Sequence, residues 1–304
     1  MRLCPSIFVA IAAATTSKAQ QQTYLVAASD SIQRYSLDGD YLGDLVSSNG
    51  DLVSASQMVL SPDKSRLYVG TFRAESNVSI FNANTGEYLG NLDDNGPLQA
   101  PSVISYTHKG NLLVSDFTGG KVYEYDIETN ERLGSFFRGG ALINPHEVLQ
   151  VDSGFLVSDY GQNRVLRYDL DGNFDEVVLS SPADGISRPL DMLLSDDGSK
   201  LYVSNNGSGR VTVYDTATND LLQIIGQRQL TFPEGLAWAP DGSLVVSNAG
   251  GGTVLRFDVN TGELLDTFEQ IPGVTQGTTD VLVIPTPGVV SGALILPFVC
   301  RRRR

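Results

Sequence analysis

The chain has 304 residues, 41% of them apolar, and 21 basic against 35 acidic side chains give a formal charge of −14. That balance excludes a nucleic-acid partner, whose phosphates would be repelled. The two cysteines, Cys4 and Cys300, lie close to the ends, so the body has no disulfide or thiol chemistry.

At the N-terminus Arg2 precedes an apolar run from Ile7 to Ala14, and Ser17-Lys18-Ala19 offers small residues for a peptidase. This pattern predicts a signal peptide over residues 1–19. The apolar run is too short to span a bilayer.

From Tyr24 onward one pattern recurs six times. The copies are YLVAASDSIQRYSLDGD, LYVGTFRAESNVSIFNANTGE, LLVSDFTGGKVYEYDIETNE, FLVSDYGQNRVLRYDLDGN, LYVSNNGSGRVTVYDTATND and LVVSNAGGGTVLRFDVNTGE. One aromatic marks each copy: Tyr35, Phe81, Tyr125, Tyr168, Tyr214 and Phe257, spaced 43–46 residues apart. A period in that range, made only of strand and turn signals, predicts an all-β propeller with one four-stranded antiparallel blade per repeat. The last full unit illustrates it. Gly235–Ala239 reads as strand A, Leu244–Asn248 as B, Val254–Val259 as C and Glu263–Phe268 as D, with Pro240-Asp241-Gly242 and Asn260-Thr261-Gly262 as turns. No segment has a helical period.

The first copy lacks a strand A, and Thr279–Ile284 supplies one with nothing after it. Pairing Asp280–Ile284 with the blade begun at Tyr24 closes a six-bladed ring and removes its open edges. The propeller then covers residues 20–284. Residues 285–304 form a tail: Pro285-Thr286-Pro287, a short apolar stretch and Arg301–Arg304. The stretch is short for an ordinary membrane span, and the arginines would stay on the cytoplasmic side.

This tail resembles the PEP-CTERM class of bacterial sorting signals, with Pro-Thr-Pro standing where that class has Pro-Glu-Pro. The resemblance implies a transient membrane anchor processed by an exosortase-like enzyme, hence export to the periplasm, outer surface or extracellular matrix of a bacterium. An uncleaved tail anchor is the other reading. The units LVSDYGQNRVLRYD and LAWAPDGSLVVSNAGGGTVLRFD resemble NHL-type repeats and their senescence-marker/gluconolactonase-like and YVTN-type relatives.

In a propeller the starts of strand A, the B–C loops and the D–A connections share one face. Aligned starts of strand A give Gln57, Val103, Glu147, Asp191, Gly235 and Asp280, preceded by Ser56, Ser102, His146, Leu190, Glu234 and Thr279. Glu147, Asp191, Glu234 and Asp280 therefore converge on the channel mouth. Clustered carboxylates call for a cation such as Ca²⁺, a shared proton, or water between them. The gluconolactonase-like resemblance implies one divalent cation and metal-activated water attacking a lactone. Its Glu-Gly start has one echo, Glu234-Gly235, which lies in the last full unit; its channel Asn ligands have no match here.

Asp116, Asp159, Asn205 and Asn248 recur at the end of strand B, either as ligands or as caps of the B–C turn. Arg138, Arg188 and Arg228 fall in successive D–A connections, either ringing the mouth for an anionic sugar or carboxylate or pairing with Glu147, Asp191 and Glu234. His146 at the mouth is a candidate base, and His108 sits in a solvated turn. Trp238 and the six marker aromatics read as packing residues. No G-x-S-x-G elbow and no zinc-spaced histidines occur, and Gly250–Gly252 has no helix behind it to cradle a phosphate.

Two functions follow. One is an exported, monomeric, surface-associated module that binds a ligand, protein or carbohydrate on this face. The other is a Ca²⁺-dependent lactonase or esterase built on Glu147, Asp191, Glu234 and Asp280.

Overall fold

In a computed structural model the chain is described over residues 23–284, apart from 29, 48–51, 53, 72–76, 93–97, 182 and 269–277. The signal-peptide and tail expectations lie outside the described residues.

Twenty-four strands follow one another. β1 (Thr23–Ala28), β2 (Ser31–Tyr35) and β3 (Tyr41–Val46) begin the first blade, and β4 (Ala55–Leu60), β5 (Arg66–Thr71), β6 (Val78–Asn82) and β7 (Tyr88–Asn91) make the second. The third holds β8 (Pro101–Tyr106), β9 (Leu112–Asp116), β10 (Lys121–Tyr125) and β11 (Arg132–Ser135). The fourth holds β12 (Pro145–Val151), β13 (Gly154–Asp159), β14 (Arg164–Tyr168) and β15 (Phe174–Ser180). The fifth holds β16 (Pro189–Leu194), β17 (Lys200–Asn205), β18 (Arg210–Asp215) and β19 (Leu221–Ile225), and the sixth β20 (Pro233–Trp238), β21 (Leu244–Asn248), β22 (Thr253–Phe257) and β23 (Leu264–Thr267). β24 (Thr278–Ile284) returns to the first blade and pairs antiparallel with β1, Thr23 opposite Ile284 and Val26 opposite Val281. The predicted closure is thus the observed one, and the ring has six four-stranded sheets. A 3₁₀ turn, Tyr160–Gln162, lies in the B–C loop of the fourth blade.

The residue pattern explains the layering. Strand B of each blade is sandwiched between neighbours, so β9, β13, β21 and the rest are buried along almost their whole length and read as apolar runs. Strand D is the outer rim and leaves its Leu and Tyr side chains in solvent, as at Tyr41, Leu89, Leu222 and Leu265. The core is divided into clusters between adjacent blades. One joins Leu25 and Ile32 to Met58 and Phe81; another joins Tyr24 and Val281 to Ala237 and Val245 across the closure. Tyr35, Phe81, Tyr125, Tyr168, Tyr214 and Phe257 are all essentially buried, which is the packing role their periodicity predicts. Each such side chain contributes about 1.5–3 kcal/mol by leaving water. Trp238 stands edge-on to Tyr202 of the fifth blade, with ring centroids 5.0 Å apart, and donates its indole N–H to the Leu194 carbonyl at 2.8 Å.

Candidate ligand-binding site at the channel mouth

A bulge in strand A builds the site. In β8 the ladder steps from Pro101 to Ile104, in β12 from Pro145 to Val148, in β16 from Pro189 to Met192 and in β20 from Pro233 to Leu236; β4 steps likewise from Ala55 to Met58. Two residues per strand are thereby lifted off the ladder: Ser56-Gln57, Ser102-Val103, His146-Glu147, Leu190-Asp191 and Glu234-Gly235. Bulges re-aim side chains in this way, and the freed backbone N–H groups then need other acceptors.

The recurring Val-Ser-Asp/Asn triplet at the end of strand B supplies them. Ser115, Ser158, Ser204 and Ser247 are fully buried, and their hydroxyls accept the N–H of Val103 at 3.0 Å, Glu147 at 2.8 Å, Asp191 at 2.9 Å and Gly235 at 2.7 Å. Sequence reasoning missed these serines, although their repetition was the available signal.

The side chains at the second bulge position, and in β24 that of Asp280, which pairs with Ala27, then link neighbouring blades. Gln57 accepts from the Ile104 N–H at 2.9 Å, Asp191 from the Leu236 N–H at 2.6 Å and Asp280 from the Met58 N–H at 2.8 Å. The other carboxylate oxygens of Asp191 and Asp280 accept from Met192 at 2.6 Å and Val281 at 2.8 Å, and Gln57 donates to Glu147 at 2.7 Å. Gly235 is glycine because a Cβ there would lie 2.6 Å from an Asp280 carboxylate oxygen. The Glu234-Gly235 dipeptide thus has a packing explanation.

Burial dominates the electrostatics. Desolvation, with Asp280 nearby, raises the Glu147 carboxyl against the pull of its Gln57 hydrogen bond; desolvation and the neighbouring Glu147 and Asp280 raise Asp191. Asp280 is pushed up to about 6 by desolvation, and Glu234 to about 8 by desolvation and the charge of Asp280. Desolvation lowers His146 to about 4 against the opposing pull of the Leu190 backbone, so its imidazole is neutral, and among the described residues its Nδ1 is shut off from solvent without a partner.

Above these groups opens a cavity of about 420 Å³. Asp191, Glu234, Gly235, Asp280 and Gln57 line it together with His146, Leu190, Phe117 and Tyr160. Phe117 meets Tyr160 at 5.4 Å and His146 at 6.1 Å between ring centroids. Sequence reasoning missed Phe117 and Tyr160, the aromatic wall, although three successive copies carry an aromatic directly after strand B.

The structure therefore brings Glu147, Asp191, Glu234, Asp280 and His146 together. Glu147, Asp191 and Asp280 already accept hydrogen bonds from the protein. Among the described residues no group of three His, Cys, Asp or Glu side chains is arranged to hold a metal ion.

The remaining predicted residues are placed elsewhere. Asp116, Asp159, Asn205 and Asn248 are buried and tie down the incoming D–A connection, accepting from Gln99 at 2.9 Å, Asn144 at 3.1 Å, Ser187 at 2.8 Å and Thr231 at 2.6 Å. Asp159 also pairs with Arg164 at 2.9 Å. Their role is structural, but its main target is the D–A connection; the B–C turn is secondary, as in the Gly119 N–H to Asp116 bond of 3.0 Å. Arg138 does not ring the mouth: its backbone bridges to Asn173 at the C–D turn of the fourth blade, and its guanidinium donates to the Asp171 carbonyl at 3.3 Å. Arg188 is exposed and lies over the Tyr160 ring at 5.6 Å, and Arg228 is exposed. None of the three pairs with Glu147, Asp191 or Glu234 among the described ion pairs. His108 is exposed, as expected.

Fold and site together define a six-bladed β-propeller with a cavity at the mouth of its channel. The family described as "Lactonase, 7-bladed beta-propeller" matches residues 162–281, although this ring has six blades. No curated protein matches the chain. Among solved structures, a chain of the nidogen/laminin complex superposes with a TM-score of 0.72 at 14% identity, covering 86% of this chain and 98% of that one. A putative 6-phosphogluconolactonase from Bacteroides fragilis gives 0.59 at 16% identity, covering 89% and 99%. Virginiamycin B lyase from Staphylococcus aureus gives 0.58 at 14% identity, covering 84% and 86%. The expected likeness to lactonase-type propellers is borne out, and at these identities the structural matches speak for the fold alone.

Proposed function

We propose that this chain is an exported binding module whose ligand enters the channel-mouth cavity. The observation that carries the reading is the hydrogen bonding of the carboxylates. Asp191 and Asp280 each accept two backbone N–H groups, one of them from the next blade, so their first task is to join the ring. What stays open to a ligand is the cavity wall of Glu234, His146, Phe117, Tyr160 and Leu190. The export part of the reading rests on residues 1–19 and 285–304, where the tail serves as a temporary anchor for an exosortase-like enzyme before a protein or carbohydrate is met at the cell surface.

A thermal-shift screen of small molecules and oligosaccharides against the wild type and Leu190→Trp tests the site. A ligand that stabilises the first and not the second supports it. Ligands that stabilise both equally would move binding to another surface.

The match to the lactonase family over residues 162–281 favours a second reading, a metal-dependent lactonase. Against it, among the described residues no three His, Cys, Asp or Glu side chains are arranged to hold a metal ion. Lactone hydrolysis that requires added Ca²⁺ and is lost in Glu147→Ala would establish that reading instead.

A further inference from the structure

We infer that the cavity takes an organic cation, an ammonium group on a compact apolar body, with Glu234 as its counter-ion and His146 Nδ1 as a second acceptor. The inference rests on the cavity being the binding site and adds the chemistry of the occupant.

Four observations carry it. Glu234 lines the cavity and, unlike Glu147, Asp191 and Asp280, receives no hydrogen bond and forms no ion pair among the described residues. His146 lines the same cavity with Nδ1 unpartnered, although a buried polar atom of that kind is normally satisfied. The unpartnered imidazole nitrogen and the Glu234 carboxyl, once ionised, are both acceptors, which a cationic donor complements. Phe117 supplies an aromatic surface, and Tyr160 beside it already holds a cation, the Arg188 guanidinium, over its ring.

The charge around the cavity selects against the alternatives. The titratable groups lining the cavity with Glu234 are Asp280 on β24, whose charge acts on it, Asp191 on β16 and His146 on β12, with no cationic side chain among the lining residues. Among the lining residues the carboxyls and the neutral imidazole offer an anion no counter-charge. Among the described residues no three His, Cys, Asp or Glu side chains converge as they would on a bare metal ion. A single ammonium needs one counter-charge, one further acceptor and an apolar wall, and about 420 Å³ accommodates it with a ring attached.

The acid also has a proton to give up. Glu234, raised to about 8, is mostly protonated at pH 7, and an ammonium beside it favours the carboxylate. Binding therefore releases a proton to the buffer.

The probe is 2-phenylethylammonium, compared with 2-phenylethanol and 3-phenylpropanoate, each titrated calorimetrically into the full chain at pH 7 in two buffers of different ionisation enthalpy. The amine is expected to bind with proton release and at least tenfold more tightly than either analogue. Glu234→Gln should weaken it at least tenfold and abolish the proton release, and Phe117→Leu should weaken it while leaving the release intact. Absence of amine binding, equal binding of the alcohol or the carboxylate, or unchanged amine binding in Glu234→Gln would overturn the inference. A neutral or anionic ligand from the thermal-shift screen that is lost in Leu190→Trp would then leave the cavity as the binding site with a different occupant.

Discussion

Asp280, near the end of the described chain, accepts a hydrogen bond of 2.8 Å from the Met58 backbone N–H, 222 residues earlier in sequence. The strand that closes the first blade thus also holds the second. Its other carboxylate oxygen accepts from the Val281 N–H, so one buried side chain satisfies two backbone donors, one in each of two blades.

Asp280→Ala leaves both donors bare in a buried setting, at about 1–3 kcal/mol for each unsatisfied group. Asp280→Asn keeps one acceptor and should lose less. Urea denaturation of the three proteins gives the order wild type, Asn, Ala in falling stability. Equal stability of Ala and wild type would remove the clasp from the account.

Gly235 faces the same carboxylate. A methyl group there meets an Asp280 carboxylate oxygen at 2.6 Å and the Asp280 Cα at 2.9 Å, and the latter is backbone. Gly235→Ala should therefore cost about 1–3 kcal/mol through overpacking. The paired change Gly235→Ala with Asp280→Ala should cost less than the sum of the singles, because the truncated side chain makes room.

The four buried latches make a local prediction. Removing the Asn248 acceptor from the Thr231 N–H, a bond of 2.6 Å, frees the D–A connection before β20. Asn248→Ala should cost about 1–3 kcal/mol and speed amide exchange at Thr231 well above that of the equivalent Ser187, which Asn205 still holds.

The pH dependence follows from the raised carboxyls. A carboxyl whose folded pKa is raised keeps its proton longer in the native state, so stability falls as pH rises from the unfolded value near 4 through the folded one. Asp280 at about 6 and Glu234 at about 8 act in this sense, as does Glu147. His146, lowered to about 4, has the opposite sign: its contribution is present above about 6.5 and is lost as pH falls toward 4. Between about pH 6.5 and 8.5 the carboxyls act alone, and stability should fall across that window. Glu234→Gln should flatten the slope there; an unchanged slope would mean that Glu234 titrates as a solvated acid.

Much of this architecture was legible in the sequence because a propeller repeats its local chemistry. The marker aromatics set the blade count, and the missing strand A at one end and the surplus one at the other gave the closure. Alignment of strand A starts brought Glu147, Asp191 and Asp280 to one place. What escaped depended on contacts between blades. The D–A connections vary in length and path, so Arg138 could be numbered into a ring at the mouth while its backbone in fact pairs with Asn173 of the next blade. The partner of Asn248 is Thr231, in a connection with no repeat signature. Gln57 reads as an unremarkable polar residue until the Ile104 N–H and Glu147 are seen on either side of it. An aromatic follows strand B in three successive copies, Phe72, Phe117 and Tyr160, a partial repeat that sequence reasoning passed over because the other three copies lack it.

The most direct test of the account is elemental analysis of the purified protein after exposure to Ca²⁺ and dialysis free of excess. Carboxylates that serve backbone amides predict no stoichiometric divalent metal, with wild type and Glu147→Ala alike. One equivalent of metal in the wild type, lost in Glu147→Ala, would contradict it and make the channel mouth a metal centre.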